Sequence, residues 1–113
     1  MNDTRNINRW QQQLRKGLIE FLVLLHLERE DHYGYSMMQE LQGVLKSEVS
    51  EGTIYPLLKR LESENYVESY WEIMESGPAR KYYRSTKSGT KTLNHMYKVW
   101  EELCGSIVKL RKL

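Results

Sequence analysis

The stretch that decides the fold is residues 47–83, SEVSEGTIYPLLKRLESENYVESYWEIMESGPARKYY. Ser50 is an N-cap residue type, and Glu51 follows in a first turn, where a carboxylate favours the helix dipole. Ile54, Leu57, Leu58 and Leu61 then recur at three- and four-residue spacing, which defines one apolar stripe and so a helix. Thr53, Tyr55, Pro56, Lys59, Arg60 and Ser63 lie wholly or partly off that stripe. Pro56 removes the bond to the carbonyl of Gly52 and is placed to bend the first turns. Val67–Met74 and Arg80–Ser85 are rich in β-branched and aromatic residues and flank Glu75-Ser76-Gly77-Pro78-Ala79, so they read as a hairpin with that tip. A capped amphipathic helix leading into a hairpin with a basic far side is how a winged-helix domain presents itself to duplex DNA.

Outward from this stretch lie two helices with more apolar surface than one small domain can cover. Towards the N-terminus, Asn8–Leu27 reads as a helix whose stripe is Trp10, Leu14, Leu18, Phe21, Leu22 and Leu25. Ile19, Val23, Leu24 and Leu27 carry the apolar surface nearly all the way round it, and such a helix needs partners on every side. A polar break, Glu28–His32, precedes Tyr33-Gly34-Tyr35, which opens a second helix with Tyr35, Met38 and Leu41 inward and Gly43 as its stop. Towards the C-terminus, Thr86–Leu113 reads as one long helix. Its seam of Leu93, Met96, Tyr97, Trp100, Leu103, Cys104, Ile107 and Leu110 is close to a heptad repeat. The expected fold is mainly α (α+β): a winged helix-turn-helix over residues 1–85, with a long dimerisation helix over 86–113. The residues expected between subunits are Leu14, Leu18, Phe21, Leu93, Trp100, Leu103, Cys104, Ile107 and Leu110.

The bulk numbers suit this reading. At 113 residues the chain is long enough for one domain. The longest apolar run, Phe21–Leu25, is far below the roughly 20 residues that a membrane span needs. The polar opening MNDTRNINR does not resemble a secretory signal. A single cysteine, Cys104, excludes an internal disulfide and suits a reducing cytoplasm, the expected location. The net charge is only +2, but it is segregated. Between Ser76 and Trp100 stand Arg80, Lys81, Arg84, Lys87, Lys91 and Lys98 with no carboxylate, while all 15 acids share the rest of the chain. Phosphate binding uses such a surface; a solvated basic face is the plain alternative.

Three motifs together resemble the PadR family of bacterial transcription regulators, in its short form with a single C-terminal helix. They are Tyr33-Gly34-Tyr35, Gly52-Thr53-Ile54-Tyr55-Pro56-Leu57-Leu58-Lys59-Arg60-Leu61-Glu62 and Gly77-Pro78-Ala79-Arg80-Lys81-Tyr82-Tyr83; Thr86-x-x-Gly89, leading into the last helix, also fits. The resemblance covers most of Tyr33–Gly89. Asn65 stands where the family usually has Gly, and Asn tolerates a left-handed cap. Ser85 replaces the usual aliphatic residue before Thr86. The resemblance implies a homodimeric DNA-binding repressor whose first and last helices interlock between subunits. Its two recognition helices would enter major grooves about 10 bp apart and read an inverted repeat.

On this basis Thr53, Tyr55 and Lys59 are expected to face DNA, and Ser50 to contact phosphate near the helix start. Ser50 has the alternative of only capping, and Tyr55 that of packing on the second helix. Arg60 is equally explained by a salt bridge to Glu64 at i+4. In the wing Arg80 and Lys81 are expected at phosphate or in a minor groove, with Gly77 shaping the tip. Tyr82 and Tyr83 face opposite sides of a strand, one into the core; Tyr83 is assigned to the DNA set. Drug-sensing proteins that this chain resembles stack flat aromatic compounds on a Trp at the dimer centre. Trp100 is the matching candidate here, with Met96, Tyr97 and Trp10 as a wall, and plain interface packing is its alternative. His26, His32 and His95 show no ligand spacing with one another or with Cys104, so neither metal nor cofactor is expected. An enzyme is disfavoured by the lack of any phosphate loop or nucleophile motif. The stronger rival is a winged-helix protein-interaction adaptor, which would have no use for a carboxylate-free basic segment.

Overall fold

The computed structural model describes residues 4–113; the polar opening Met1–Asp3 lies outside them. The elements in order are α1 (Thr4–Arg29), β1 (His32–Tyr33), α2 (Gly34–Leu45), α3 (Glu51–Ser63), β2 (Val67–Glu72), β3 (Arg80–Ser85) and α4 (Lys87–Lys112). The three strands form one antiparallel sheet in the order β1-β3-β2. This is the winged helix-turn-helix that the residue pattern predicts, with α4 added. No helix of the described residues is long and apolar enough to cross a membrane.

The core is assembled from one face of every helix and one face of the wing. Val23, Leu24 and Leu27 of α1 meet Met37 and Leu41 of α2, Ile54, Leu58 and Leu61 of α3, then Val67, Tyr83 and Leu93. Truncating a Leu of this kind to Ala costs about 2–5 kcal/mol. Leu93 and Phe21, both expected between subunits, are buried within the single chain. The long seam of α4 therefore begins as intrachain core. Its outer part does not: Leu103, Ile107 and Leu110 of α4 are exposed, as are Trp10 and Leu14 of α1.

Several boundaries differ from the pattern-based reading, each for a physical reason. The helix α1 starts four residues before Asn8 and ends two after Leu27, because nothing in its flanks forbids helical dihedrals. Gly43 lies inside α2 and does not stop it. The stop is Lys46, left-handed at φ 53°, whose N–H donates to the Gln42 carbonyl at 2.8 Å. Tyr35, expected inward, points to solvent at 54% exposure. The strand β2 ends at Glu72 rather than Met74, which leaves a seven-residue tip over 73–79. The two-residue β1 falls where the pattern shows only a polar break and a helix start. A strand that short has no periodicity to detect, and it exists because His32 and Tyr33 pair with Tyr83 and Tyr82 of β3.

Asn65 behaves as expected for a glycine substitute. Its φ is 65°, its N–H donates to Glu62 O at 3.0 Å, and the next N–H, of Tyr66, reaches Leu61 O at 2.9 Å. These are the two bonds of a Schellman cap. The turn so formed docks directly on the start of α4. Thr86 Oγ1 accepts from the N–H of Gly89 at 2.9 Å and donates to Asn65 O at 2.6 Å, while the Thr86 N–H donates to Tyr66 O at 3.2 Å. Gly89 presses so closely on this turn that a Cβ there would lie 2.0 Å from the Tyr66 carbonyl oxygen. Beside this junction the Ser85 hydroxyl is buried with no hydrogen-bond partner among the described residues. An aliphatic side chain there would leave no such group unpaired.

Candidate nucleic-acid interface

The exposed side of α3 follows from its buried side. With Ile54, Leu58 and Leu61 inward, a pitch of 100° per residue puts Gly52, Pro56, Lys59 and Ser63 opposite them, and all four are exposed. The outermost strip of this helix is thus small side chains with one cation, a shape that admits close approach of a groove. Thr53 lies on one flank, exposed, and Tyr55 on the other. At the helix start Ser50 does not cap through its side chain; its Oγ sits 3.1 Å from Thr53 Oγ1. Both hydroxyls are therefore surface polar groups beside the free N–H groups of the first turn.

Tyr55 is shared between two roles. Its ring lies against Gly34 at the start of α2, where a Cβ would come within 2.4 Å of Cε1. The glycine of Tyr33-Gly34-Tyr35 thus makes the seat for this ring. The residue remains 44% exposed. Partial burial pushes its phenol pKa up, with the Glu51 carboxylate adding to the effect, so the hydroxyl is a proton donor throughout the neutral range.

Arg60 is engaged within the chain. It pairs with Glu64 at 2.8 Å, the i+4 bridge foreseen from spacing, and also with Glu20 of α1. The Glu20 hydrogen bond holds its pKa above the ordinary value. The second partner is invisible in the sequence because it lies 40 positions away. Such a doubly paired guanidinium ties α3 to α1 and is no free counter-charge for phosphate.

The wing divides its side chains by the period of two along β3. Lys81, Tyr83 and Ser85 take the face towards α3; Arg80, Tyr82 and Arg84 take the other. Tyr83, assigned to the DNA set, is 6% exposed and belongs to the core, so of the two adjacent tyrosines Tyr82 is the outer one. Lys81 Nζ rests 3.6 Å from Glu62 and 5.6 Å from the Tyr83 ring centroid. On the opposite face the rings of Tyr33, Tyr82 and Tyr70 form a row, with centroids 5.3 and 5.7 Å apart. The Arg80 guanidinium lies 4.4 Å from the Tyr33 centroid and that of Arg84 5.1 Å from the Tyr70 centroid. Arg84 also pairs with Glu68 at 2.9 Å, and the Tyr70 hydroxyl donates to Asp31 at 2.7 Å. That bond pushes the Tyr70 phenol up to about 12. Among the described residues Lys59, Arg80, Lys87, Lys91 and Lys98 make no ion pair. At the tip Gly77 has φ 86°, a conformation that favours glycine.

Sequence reasoning missed the aromatic row, since it depends on β1 joining β3. It also missed Arg15 and Lys16 of α1, which line a cleft with Ser50 and Thr53 at the start of α3. Their position one face round from the apolar stripe was the available signal.

A second feature lies away from this surface. An apolar groove of about 350 Å³ runs between α1 and α4, walled by Leu18, Phe21, Met96, Val99, Trp100 and Leu103. The Phe21 ring centroid is 6.1 Å from that of Trp100 and 6.3 Å from that of Tyr97. Of the four residues named for a ligand wall, Trp100 and Met96 line this groove, whereas Tyr97 and Trp10 do not. Cys104 is half-buried nearby on the same helix.

A helix-turn-helix with an exposed third helix, flanked by a cation-bearing wing, is the architecture of a winged-helix DNA-binding protein. Comparison with known proteins makes the assignment specific. Residues 23–95 match the model of the Transcriptional regulator PadR-like family, and the chain belongs to that family. It is a DNA-binding transcription regulator. It is 31% identical over 90 residues to an uncharacterized protein of Lysinibacillus sphaericus, covering 78% of this chain and 83% of that one. It is 29% identical over 96 residues to Transcriptional regulator Rv3488 of Mycobacterium tuberculosis, covering 85% and 88%. Among solved structures, a PadR family transcriptional regulator from Eggerthella lenta superposes with a TM-score of 0.82 at 34% identity, over 94% of this chain and 92% of that one. A PadR-like transcriptional regulator from Bacillus cereus gives 0.79 at 34% identity, over 87% and 95%.

Proposed function

We propose that this protein is a homodimeric repressor that binds an inverted-repeat promoter operator and is released by a small planar aromatic effector. The observation that carries the dimer is the apolar surface left on α1 and α4. Trp10, Leu14, Leu103, Ile107, Val108 and Leu110 are all at least 42% exposed in the single chain. The Cα radius of gyration, 16.6 Å, exceeds the roughly 13 Å of a compact domain of this length, as befits helices that extend to meet a mate. Residues 86–113 then serve as the dimerisation helix attached to a winged-helix unit over 1–85. DNA is met by Ser50 just before α3, by Thr53, Tyr55 and Lys59 of α3, and by Arg80 and Lys81 on the wing around Gly77. Arg60 and Tyr83 leave this set because one is doubly paired and the other is core.

The effector reading rests on the groove beside Trp100, which a second copy would roof. A planar ligand stacked there would alter the angle between the two DNA-binding units and so their groove spacing. The test combines light scattering with fluorescence polarisation on the protein's own upstream promoter DNA at two salt concentrations. Twice the chain mass, with tight, salt-sensitive and promoter-selective binding, is the expected outcome, and Leu103→Glu should give monomers with lost affinity. A monomeric wild-type chain, or equal affinity for promoter and random duplex, would refute the proposal and favour an adaptor.

A further inference from the structure

The turn from α1 through β1 into α2 brings together three side chains of donor type that lie close in sequence. Glu30, after the end of α1, His32 of β1 and Glu40 of α2 each direct one ligand atom into a common space, all within 4.8 Å of one another. His26 and Arg29 line the same pocket. The imidazole rings of His26 and His32 have centroids 6.2 Å apart and stand nearly perpendicular.

The hydrogen bonds fix what each imidazole offers. The single hydroxyl proton of Ser36 is given to the carbonyl of Tyr33 at 3.0 Å. Ser36 Oγ must therefore accept from His32 Nδ1, 3.0 Å away, so the neutral ring carries its proton on Nδ1 and a lone pair on Nε2. That Nε2 belongs to a residue only 5% exposed, and it faces Glu30 Oε1 at 3.7 Å, beyond hydrogen-bond length. His26 repeats the arrangement. Its Nδ1 lies 2.7 Å from the Leu22 carbonyl, which can only accept, so in the neutral ring Nε2 is the nitrogen with the lone pair. Histidines that ligate metals are held in this way, with the outer nitrogen donating to a carbonyl or a comparable acceptor.

We propose that Glu30, His32 and Glu40, with His26 at the rim, bind a divalent transition-metal ion of borderline N/O preference, of the Zn²⁺ class. Two carboxylates and neutral imidazole nitrogens are a donor set for such an ion. The pocket carries two negative charges from Glu30 and Glu40 against one positive from Arg29. Tetrahedral ligation at about 2.0–2.1 Å needs donors roughly 3.3 Å apart. The donor atoms now lie within 4.8 Å of one another, so binding requires the exposed Glu30 and Glu40 side chains to close in on the buried His32. A bound ion would link the end of α1, β1 and the middle of α2, the corner where the helix expected to dimerise meets the DNA-binding unit.

The test uses the full chain carrying Cys104→Ser, so that the thiol contributes nothing, freed of metal with a chelator and titrated with ZnCl₂ by calorimetry. One ion per chain at micromolar or tighter Kd is expected, with a thermal midpoint that rises on adding Zn²⁺. Glu40→Gln and Glu30→Gln, both solvent-exposed and so compatible with folding, should each weaken binding at least tenfold and abolish the rise. Co²⁺ should give visible d–d absorption in the parent chain and lose it in the variants. Absence of saturable Zn²⁺ binding would overturn the proposal, and so would affinity unchanged in both glutamate variants.

Discussion

Replacing Gly89 by Ala should destabilise the protein although alanine is the better helix former. The new Cβ would sit 2.0 Å from the Tyr66 carbonyl oxygen, and the atom it meets is backbone, with no rotamer to yield. Since real Cβ atoms stay at least 3.0 Å from such an oxygen, α4 must withdraw by about 1 Å or more. That withdrawal stretches the bonds from Thr86 Oγ1 to Asn65 O and from Thr86 N to Tyr66 O, each contributing about 1 kcal/mol. Overpacking of this kind typically costs about 1–3 kcal/mol. Against it alanine returns about 0.5–1 kcal/mol of helix propensity. The net expectation is a loss of about 2 kcal/mol, or roughly 8 °C in Tm. The comparison is made by circular dichroism at one fixed protein concentration, because the Tm of the proposed dimer would depend on it. Gly43→Ala, inside α2 with nothing within 4 Å of the added methyl, is the matched control and should gain stability. A Gly89→Ala protein as stable as the wild type would refute the reasoning, since propensity alone predicts a gain.

Two further expectations separate residues that look alike in sequence. Lys59→Ala and Arg80→Ala should each weaken operator binding by roughly 1 kcal/mol or more in fluorescence polarisation with the fold intact; Arg60→Ala, whose charge is held by Glu20 and Glu64, should leave affinity within about twofold, and a loss as large as that of Lys59→Ala would contradict its internal pairing. In urea titrations Tyr83→Ala should cost about 3 kcal/mol or more as a core truncation, whereas Tyr82→Ala, on the outer row, should cost about 1 kcal/mol; the reverse order would overturn the facing of β3.

The elements that carry strong periodicity are legible in the residue pattern alone. The α3 stripe, the hairpin and the long α4 seam are set by apolar spacing, and the residues obey it. What the pattern hides is whatever depends on distant partners. Arg60 can be paired with Glu64 by counting four residues, but Glu20 becomes a neighbour only when α1 folds across α3. Tyr82 and Tyr83 can be told to face apart, yet which one faces in is decided by the sheet's packing on the helices. Leu93 sits on the same seam as Leu103, and only the place where α4 leaves the domain distinguishes core from free surface. The Glu30, His32 and Glu40 cluster, by contrast, lies within one short stretch of chain, and what hides it is the turn from α1 through β1 into α2 that faces the three side chains together.

The short pairing of β1 with β3 has a mechanical consequence. His32 and Tyr33 join the corner between α1 and α2 to the strand that carries Arg80, and Thr86 bolts the base of that strand to the turn after α3. The lower half of the wing is thereby pinned at two points and travels with the recognition helix as one tool head. In the dimer proposed above, little remains to adjust within each head. The variable left is the separation and tilt between two such heads, so discrimination among operators becomes a matter of calliper setting, and whatever occupies the groove by Trp100 would act as the screw that sets it.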